Sequence, residues 1–529
     1  MNRSGRQIAK AATLVMALFV LSRVLGLVRQ MVTGALFGTS GDLDAYLAAN
    51  RISDTVFLII AGGALGSAFI PTFADRLAQE DRAGAWRLAS AVANLALIVL
   101  TVAAGLTALL APMLVRAVIA PGFDTAQQAL TVRLLRLMLI SPVIFGVSGI
   151  AMAALNAHQH FLLPALTSSV YNLSIIGGAL LLGPRLGVMG MAIGVVVGAA
   201  LHLLVQVPGL VRYGARYVPT LGLDNPSVRE VGRLMAPRML GTAITQLNFV
   251  VNTSLASRMG EGAVSAIYYA WLLLMLPQGV FAQAVATAAF PTFAGQAARG
   301  ERAEMRGMLA ATLRAVFFLS LPATVGLLAL GRPLVELLFE RGAFETSSTE
   351  AVAWALAFYA LGLVGHAGLE IVARAFYALH DTLTPVWVGG LAMTLNVALS
   401  LTLPGLFGLA GWPPFAGLAL ANSIATLLET AVLLVLIRRR LNGLEGRQAL
   451  ITVVKSGLAA LAMGAALLGW QAALPGAGSL ALGGGGVVLG AAVYLGAALL
   501  LRAEEVQALA RRFPPLATPL ARRKRRPPA

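Results

Sequence analysis

The chain has 529 residues, 58% of them hydrophobic and 12% charged, with a net charge of +17 and no cysteine. Soluble domains carry about 25% charged residues, so this composition and a mean hydropathy of +0.82 exclude an ordinary soluble protein and point to an all-α, polytopic membrane bundle. Disulfides, iron–sulfur clusters and thiol chemistry are excluded as well.

A membrane span needs about 20 apolar residues. Fourteen spans are expected, at roughly 12–36, 42–73, 88–115, 127–155, 161–183, 187–210, 230–257, 263–293, 307–330, 350–379, 384–403, 413–437, 450–471 and 480–501. The first reads as a retained span. It is long, holds two arginines and lacks a clear small-x-small cleavage site.

The first two spans carry five charges: Arg23, Arg29, Asp44, Arg51 and Asp54. Each costs roughly 2.5–3.5 kcal/mol to insert at mid-span, so each needs a wet or protein-lined place. Asp44 and Arg51 are seven apart and share a helix face; Arg51 and Asp54 are three apart and are placed to pair. Arg23 and Arg29 lie about 120° apart and about 9 Å along the helix, enough to edge a wide cavity. Two readings stay open. The charges neutralise one another inside the bundle, or they wall a hydrated, net-positive cavity for an anionic group, to which guanidinium suits phosphate. Gly62, Gly63 and Gly66 follow, where close packing or a bend is allowed.

Further along, Arg133 and Arg136 begin a span and read as snorkelling to headgroups. His158 and His160 read as a polar turn. Arg238 lies beside Pro237 at a cytoplasmic mouth, and Arg314 and Glu336 sit at span ends. Glu370 and Arg374 are four apart, acid first, which suits an ion pair or a site. Glu429 is a candidate protonation site. No Gly-rich phosphate loop and no metal-ligand spacing occur, so no enzyme, cofactor or metal is expected.

The basic residues mark topology. Arg3, Arg6 and Lys10, then Arg76, Arg82 and Arg87, then Arg212, Arg216, Arg229 and Arg233, then Arg299, Arg302 and Arg306, then Arg438, Arg439, Arg440 and Arg447 fall in alternate loops. Both termini are therefore expected in the cytoplasm. With the tail Arg522–Arg526, this charge points to anionic membrane lipid rather than nucleic acid.

The chain also repeats itself. Phe69–Ala74 recurs as Ala289–Ala294, Asp81-Arg82-Ala83 as Glu301-Arg302-Ala303, and Ala120–Asp124 as Arg341–Glu345; Gly122 and Gly342 are 220 apart, as are Pro71 and Pro291. Arg23–Gly26 is echoed by Arg238–Gly241. Six spans per copy give parallel repeats, a transporter architecture. The expected division is 1–215 and 216–440 as two six-helix lobes, 441–502 as two extra helices and 503–529 as a basic tail.

Ser22–Gly26 with Arg29, Leu43–Tyr46, Gly63–Pro71, Ala120–Phe123, Tyr268–Ala270, Phe339–Phe344 and Arg374–Pro385 together resemble the MurJ/MviN family over nearly the whole chain. The resemblance implies the fold of the multidrug/oligosaccharidyl-lipid/polysaccharide exporter superfamily. It implies a flippase of the bacterial cytoplasmic membrane working by alternating access. Its cationic cavity would receive the pyrophosphate of lipid II, an undecaprenyl-pyrophosphate-linked disaccharide-peptide. Arg23, Arg29 and Asp44 match functional positions of that family. The chain departs from the pattern at Gln30, Phe57-Leu58, Gly62 and Trp271-Leu272. Two cavity arginines are thereby absent, and Arg51 and Arg374 are the candidates to stand in. Another lipid-linked glycan as cargo, or a non-transporting relative that binds lipid or recruits partners, remain the rival readings.

Overall fold

The computed structural model describes the backbone of residues 3–62, 64–444 and 446–506, and their side chains outside 3–14, 64–68, 236–238, 240–241 and 244–245. The side chains of Arg3, Arg6, Lys10 and Arg238, residue Gly63 and the tail beyond 506 lie outside this description. Among the described residues every regular element is helical. That is the expected solution in lipid, where a helix satisfies its own backbone groups.

The chain divides into two compact units: residues 1–265 with 339–348, and residues 266–338 with 349–529. The first contains α1 (Arg3–Phe37), α2 (Gly41–Ile60), α3 (Ala64–Ala78), α4 (Arg82–Leu114), α5 (Thr125–Met138), α6 (Ile140–Ala157), α7 (Leu162–Gly177), α8 (Gly183–Leu186), α9 (Val188–Leu204), α10 (Val207–Arg212) and α11 (Pro226–Ala256). Helix starts follow the local sequence. Ser40, Asp81 and Asn225 each accept a backbone N–H at the head of α2, α4 and α11. Asp124 and Gln127 form a reciprocal capping box on α5. Small residues let α7 and α9 pack tightly: a Cβ on Gly194 would stand 2.7 Å from the Ser174 carbonyl oxygen. The core of this unit gathers Phe69 and Phe73 of α3, Trp86 and Leu88 of α4, Ile150 of α6 and Val231 of α11.

The second unit takes most of α12 (Ala263–Pro277) and α13 (Ala284–Ala298), α14 (Arg302–Phe339), α15 (Thr346–Leu361), α16 (Leu363–Ala378), α17 (Leu383–Leu409), α18 (Pro414–Arg440), α19 (Gly446–Ala473) and α20 (Gly486–Leu500). One core joins Phe293, Leu313, Ile371, Phe376 and Leu433; a second joins Phe318 and Leu330 of α14 to Met463 of α19 and Tyr494 of α20. The Tyr494 hydroxyl donates to the Phe318 carbonyl at 2.6 Å, which satisfies the one polar atom of that ring. Pro112 and Pro277 each precede a π-helical turn, at Val115–Ile119 and Gln278–Gln283. A proline lacks the N–H that would continue the ladder.

Among the described residues, eleven helical stretches are long and apolar enough to cross a membrane, and α15 with α16, bent by 46°, makes a twelfth if counted as one span. Sequence reading expects fourteen. The two further regions are helical but too polar to qualify: α2 holds Asp42, Asp44, Arg51 and Asp54, and α11 is rich in Thr, Asn and Gln. The α15–α16 break falls at Gly362, where a Cβ would stand 2.6 Å from the Ser423 hydroxyl.

Candidate functional site

Asp44 is fully buried. Its Oδ2 accepts the Gly262 N–H at 2.8 Å, and its Oδ1 accepts the Ser265 N–H at 2.8 Å and the Ser265 hydroxyl at 2.7 Å. These donors form the first turn of α12. The carboxylate thus caps a helix some 220 residues away in sequence, at the end where the helix dipole favours a negative charge. Spacing places Asp44 on the face of Arg51; in the structure it sits in a joint, away from any described cavity.

That joint is built from four turns, all within the first unit. The Ala343 N–H donates to the Ala35 carbonyl at 2.8 Å. Gly342 has φ +60°, and a Cβ there would run into the Ala35 carbonyl oxygen. Its repeat partner Gly122 makes the matching approach: a Cβ would run into the Ser257 carbonyl oxygen, and its N–H donates to the Ser257 hydroxyl at 3.2 Å. Gly262, at φ +82°, leaves room for Thr39. The Gly41 N–H donates to Glu261 at 2.7 Å, and the Thr39 and Ser348 hydroxyls bond at 2.8 Å. Only glycine permits backbones this close.

Three turns further along α2, Asp54 is exposed and accepts from the Asn50 amide at 2.8 Å. It lines a cavity of about 290 Å³ together with Ser53, Phe57, Ser141, Tyr171 and His202. No ion pair joins it to Arg51. The Arg51 guanidinium instead lies over the Phe249 ring, 4.7 Å from its centroid. Arg51 and Arg29 both act electrostatically on Asp54, so these three of the five charges share one neighbourhood. Arg29 is half-buried and Arg23 is exposed on α1. Phe57, one of the positions at which the chain departs from the resemblance, packs on Phe145 at 5.6 Å between centroids.

His202 was not singled out by sequence reading. Its Nδ1 bonds the Ser148 hydroxyl at 2.7 Å, and the Gln206 amide donates to that hydroxyl and to the His202 carbonyl, each at 2.8 Å. The available signal was His202 and Gln206 four apart in an otherwise apolar span.

In the second unit Arg374 forms an ion pair with Glu370 and also donates to the Glu370 carbonyl at 2.8 Å. The pair lines a cavity of about 440 Å³ with Phe290, Tyr377, Pro385 and Glu429. Other charges are tied locally. The Arg136 Nε donates to the Ala108 carbonyl at 3.1 Å, and Arg314 donates to Gln448 at 2.6 Å. In the loop before α17, burial works to raise Asp381, but its bonds from Thr384 and the charge of Arg440, 2.6 Å away, outweigh this and hold its carboxyl below the usual range. His158 stacks on Tyr213 at 4.4 Å between centroids; burial first, and the charge of Arg82 second, push its imidazole below its ordinary value. Both loop histidines therefore belong to a packed turn, His160 meeting the same Tyr213 ring edge-on.

The family model for the lipid II flippase MurJ matches residues 33–481. The probable lipid II flippase MurJ of Vibrio cholerae is 30% identical over 440 residues, covering 81% of this chain and 82% of that protein. The lipid II flippase MurJ of Burkholderia cenocepacia is 32% identical over 432 residues, covering 80% and 82%. In fold, the chain is similar to a solved lipid II flippase MurJ in an inward closed conformation, with a TM-score of 0.79, 24% identity and coverage of 94% and 100%. It is also similar to an inward-facing multidrug resistance MATE family transporter of the MOP superfamily, with a TM-score of 0.67, 17% identity and coverage of 82% and 98%.

Proposed function

The chain belongs to the lipid II flippase MurJ family, and we propose that it moves lipid II from the inner to the outer leaflet of the bacterial cytoplasmic membrane. It does so by alternating access, without covalent chemistry. The observation that carries this reading is the family match across 33–481. The four-turn joint around Asp44 adds support, because it ties four turns together at one end of the first unit. The loop arginines assign that end to the outside.

The pyrophosphate meets Arg29 and Arg51, with Arg23 at the edge. Guanidinium suits this role because it stays charged and offers paired donors. Asp44 contributes as the latch of the outer closure. Arg374, already held by Glu370, positions the wall of its own cavity. Opening the outer joint releases the headgroup, and the polyprenyl tail stays in lipid throughout.

Complementation of a strain depleted of its own lipid II flippase tests this. The wild-type chain restores growth, and Arg29→Ala abolishes rescue while the protein still reaches the membrane. Full rescue by Arg29→Ala would sink the assignment of the pyrophosphate to this cluster. One observation favours a second cargo, another lipid-linked glycan: Phe57 packs on Phe145 at one of the positions where the chain departs from the resemblance. That reading predicts failed rescue by the wild-type chain with flipping of another polyprenyl-linked glycan in vesicles.

A further inference from the structure

We propose that the cavity of the first unit is a proton-binding site, with His202 as the acceptor and Asp54 as its counter-charge. Both side chains line the same cavity of about 290 Å³. Ser141 lines it too; it is 2% exposed, and its hydroxyl has no partner in the protein. A buried hydroxyl left over in this way is aimed at a polar occupant. Ser53, by contrast, spends its hydroxyl on the Met138 carbonyl at 3.0 Å.

The network behind His202 accommodates both states of the ring. In the neutral state Ser148 accepts from the Gln206 amide and gives its single proton to Nδ1, so the ring proton sits on Nε2. In the cationic state Nδ1 must donate. Ser148, whose hydroxyl oxygen has two lone pairs, then accepts from the ring as well as from the Gln206 amide and turns its own proton away from Nδ1. The Gln206 amide keeps its bond to the His202 carbonyl. One hydroxyl rotation suffices, with no backbone movement. One proton enters and none leaves; the imidazole gains +1 opposite the −1 of Asp54.

The charged and titratable surroundings are few. On α2 there are Asp54 and Arg51, on α1 Arg29, and on α7 Tyr171, which shares the cavity wall. The stretch of α6 that packs here brings Phe145 and Ser148 and no charge. On α5 Arg133 and Arg136 are exposed, and on α10 so is Arg212. Asp54 is therefore the anion that shares the cavity with His202.

The test of this site reads protonation rather than transport. The full chain, labelled with ¹⁵N-histidine and held in lipid nanodiscs, is followed by side-chain nitrogen NMR from about pH 4 to about pH 9. A titrating histidine signal is expected that is lost in His202→Gln. A chain with His158, His160, His366 and His380 replaced by Gln gives the same assignment if His202→Gln fails to fold. Asp54→Asn is expected to weaken its proton binding about tenfold, the scale for unit charges a cavity apart. A His202 that stays neutral throughout, or that titrates alike with and without Asp54, overturns the proposal. Either result leaves the flippase reading to its own complementation test.

Discussion

Two aspartates on one helix have opposite fates. Asp44 is fully buried and has three donors from the first turn of α12. Asp54, ten positions later, is exposed to a cavity and has the Asn50 amide. Burying a carboxylate is costly unless its oxygens are satisfied, so Asp44 makes sense only as part of the joint it completes. Asp54 is left with charge to use. A charge within a span therefore says that something polar is near; its partner set says whether that something is architecture or a working surface.

The sharpest way to break this contrast is to remove each carboxylate. Asp44→Ala leaves two buried N–H groups without their acceptor, while the Ser265 hydroxyl can turn to the Gly262 carbonyl at 3.2 Å, and is expected to cost about 3 kcal/mol. Asp54→Ala should stay within about 0.5 kcal/mol. Thermal unfolding in detergent compares them, and equal losses would end the distinction. Next in size is Gly342→Ala. Its Cβ meets the Ala35 carbonyl oxygen in a left-handed turn, at an expected cost of about 1–3 kcal/mol to the closed joint. Because the chain has no cysteine, Thr39→Cys gives a single thiol reporter there. Its labelling by an impermeant maleimide should rise when Gly342→Ala is added. The smallest effect tests a third kind of charge. Glu370→Gln strands half-buried Arg374 and should cost about 1 kcal/mol, part of which returns in the Glu370→Gln, Arg374→Gln double variant.

Much of this was legible in the sequence. The apolar runs gave the helical bundle, while the caps at Ser40, Asp81, Asp124 and Asn225, which set where α2, α4, α5 and α11 begin, emerged only in the structure. The repeat offset paired Gly122 with Gly342, and the structure gives both a close backbone approach, at Ser257 and Ala35. Glu370 and Arg374 pair as their order and spacing suggest. Arg51 and Asp54 do not, because Asn50 and Phe249 offer each a better partner, and neither partner is evident from spacing alone. The role of Asp44 was hidden for a similar reason: its donors lie at Gly262 and Ser265, and only the fold brings them close. His202 escaped notice because one histidine in an apolar span carries no pattern until Ser148 arrives from another helix.

The glycine joint has one more consequence. At Gly342 and Gly122 the surfaces that meet are backbone amides and carbonyls. Such groups neither titrate nor exchange counter-ions, and salt screens them little compared with ion pairs. On the proposed orientation that end would face whatever acidity and ionic strength the cell's surroundings impose. The glycine contacts should hold their strength across those conditions, so any acid sensitivity of the joint falls on its carboxylates.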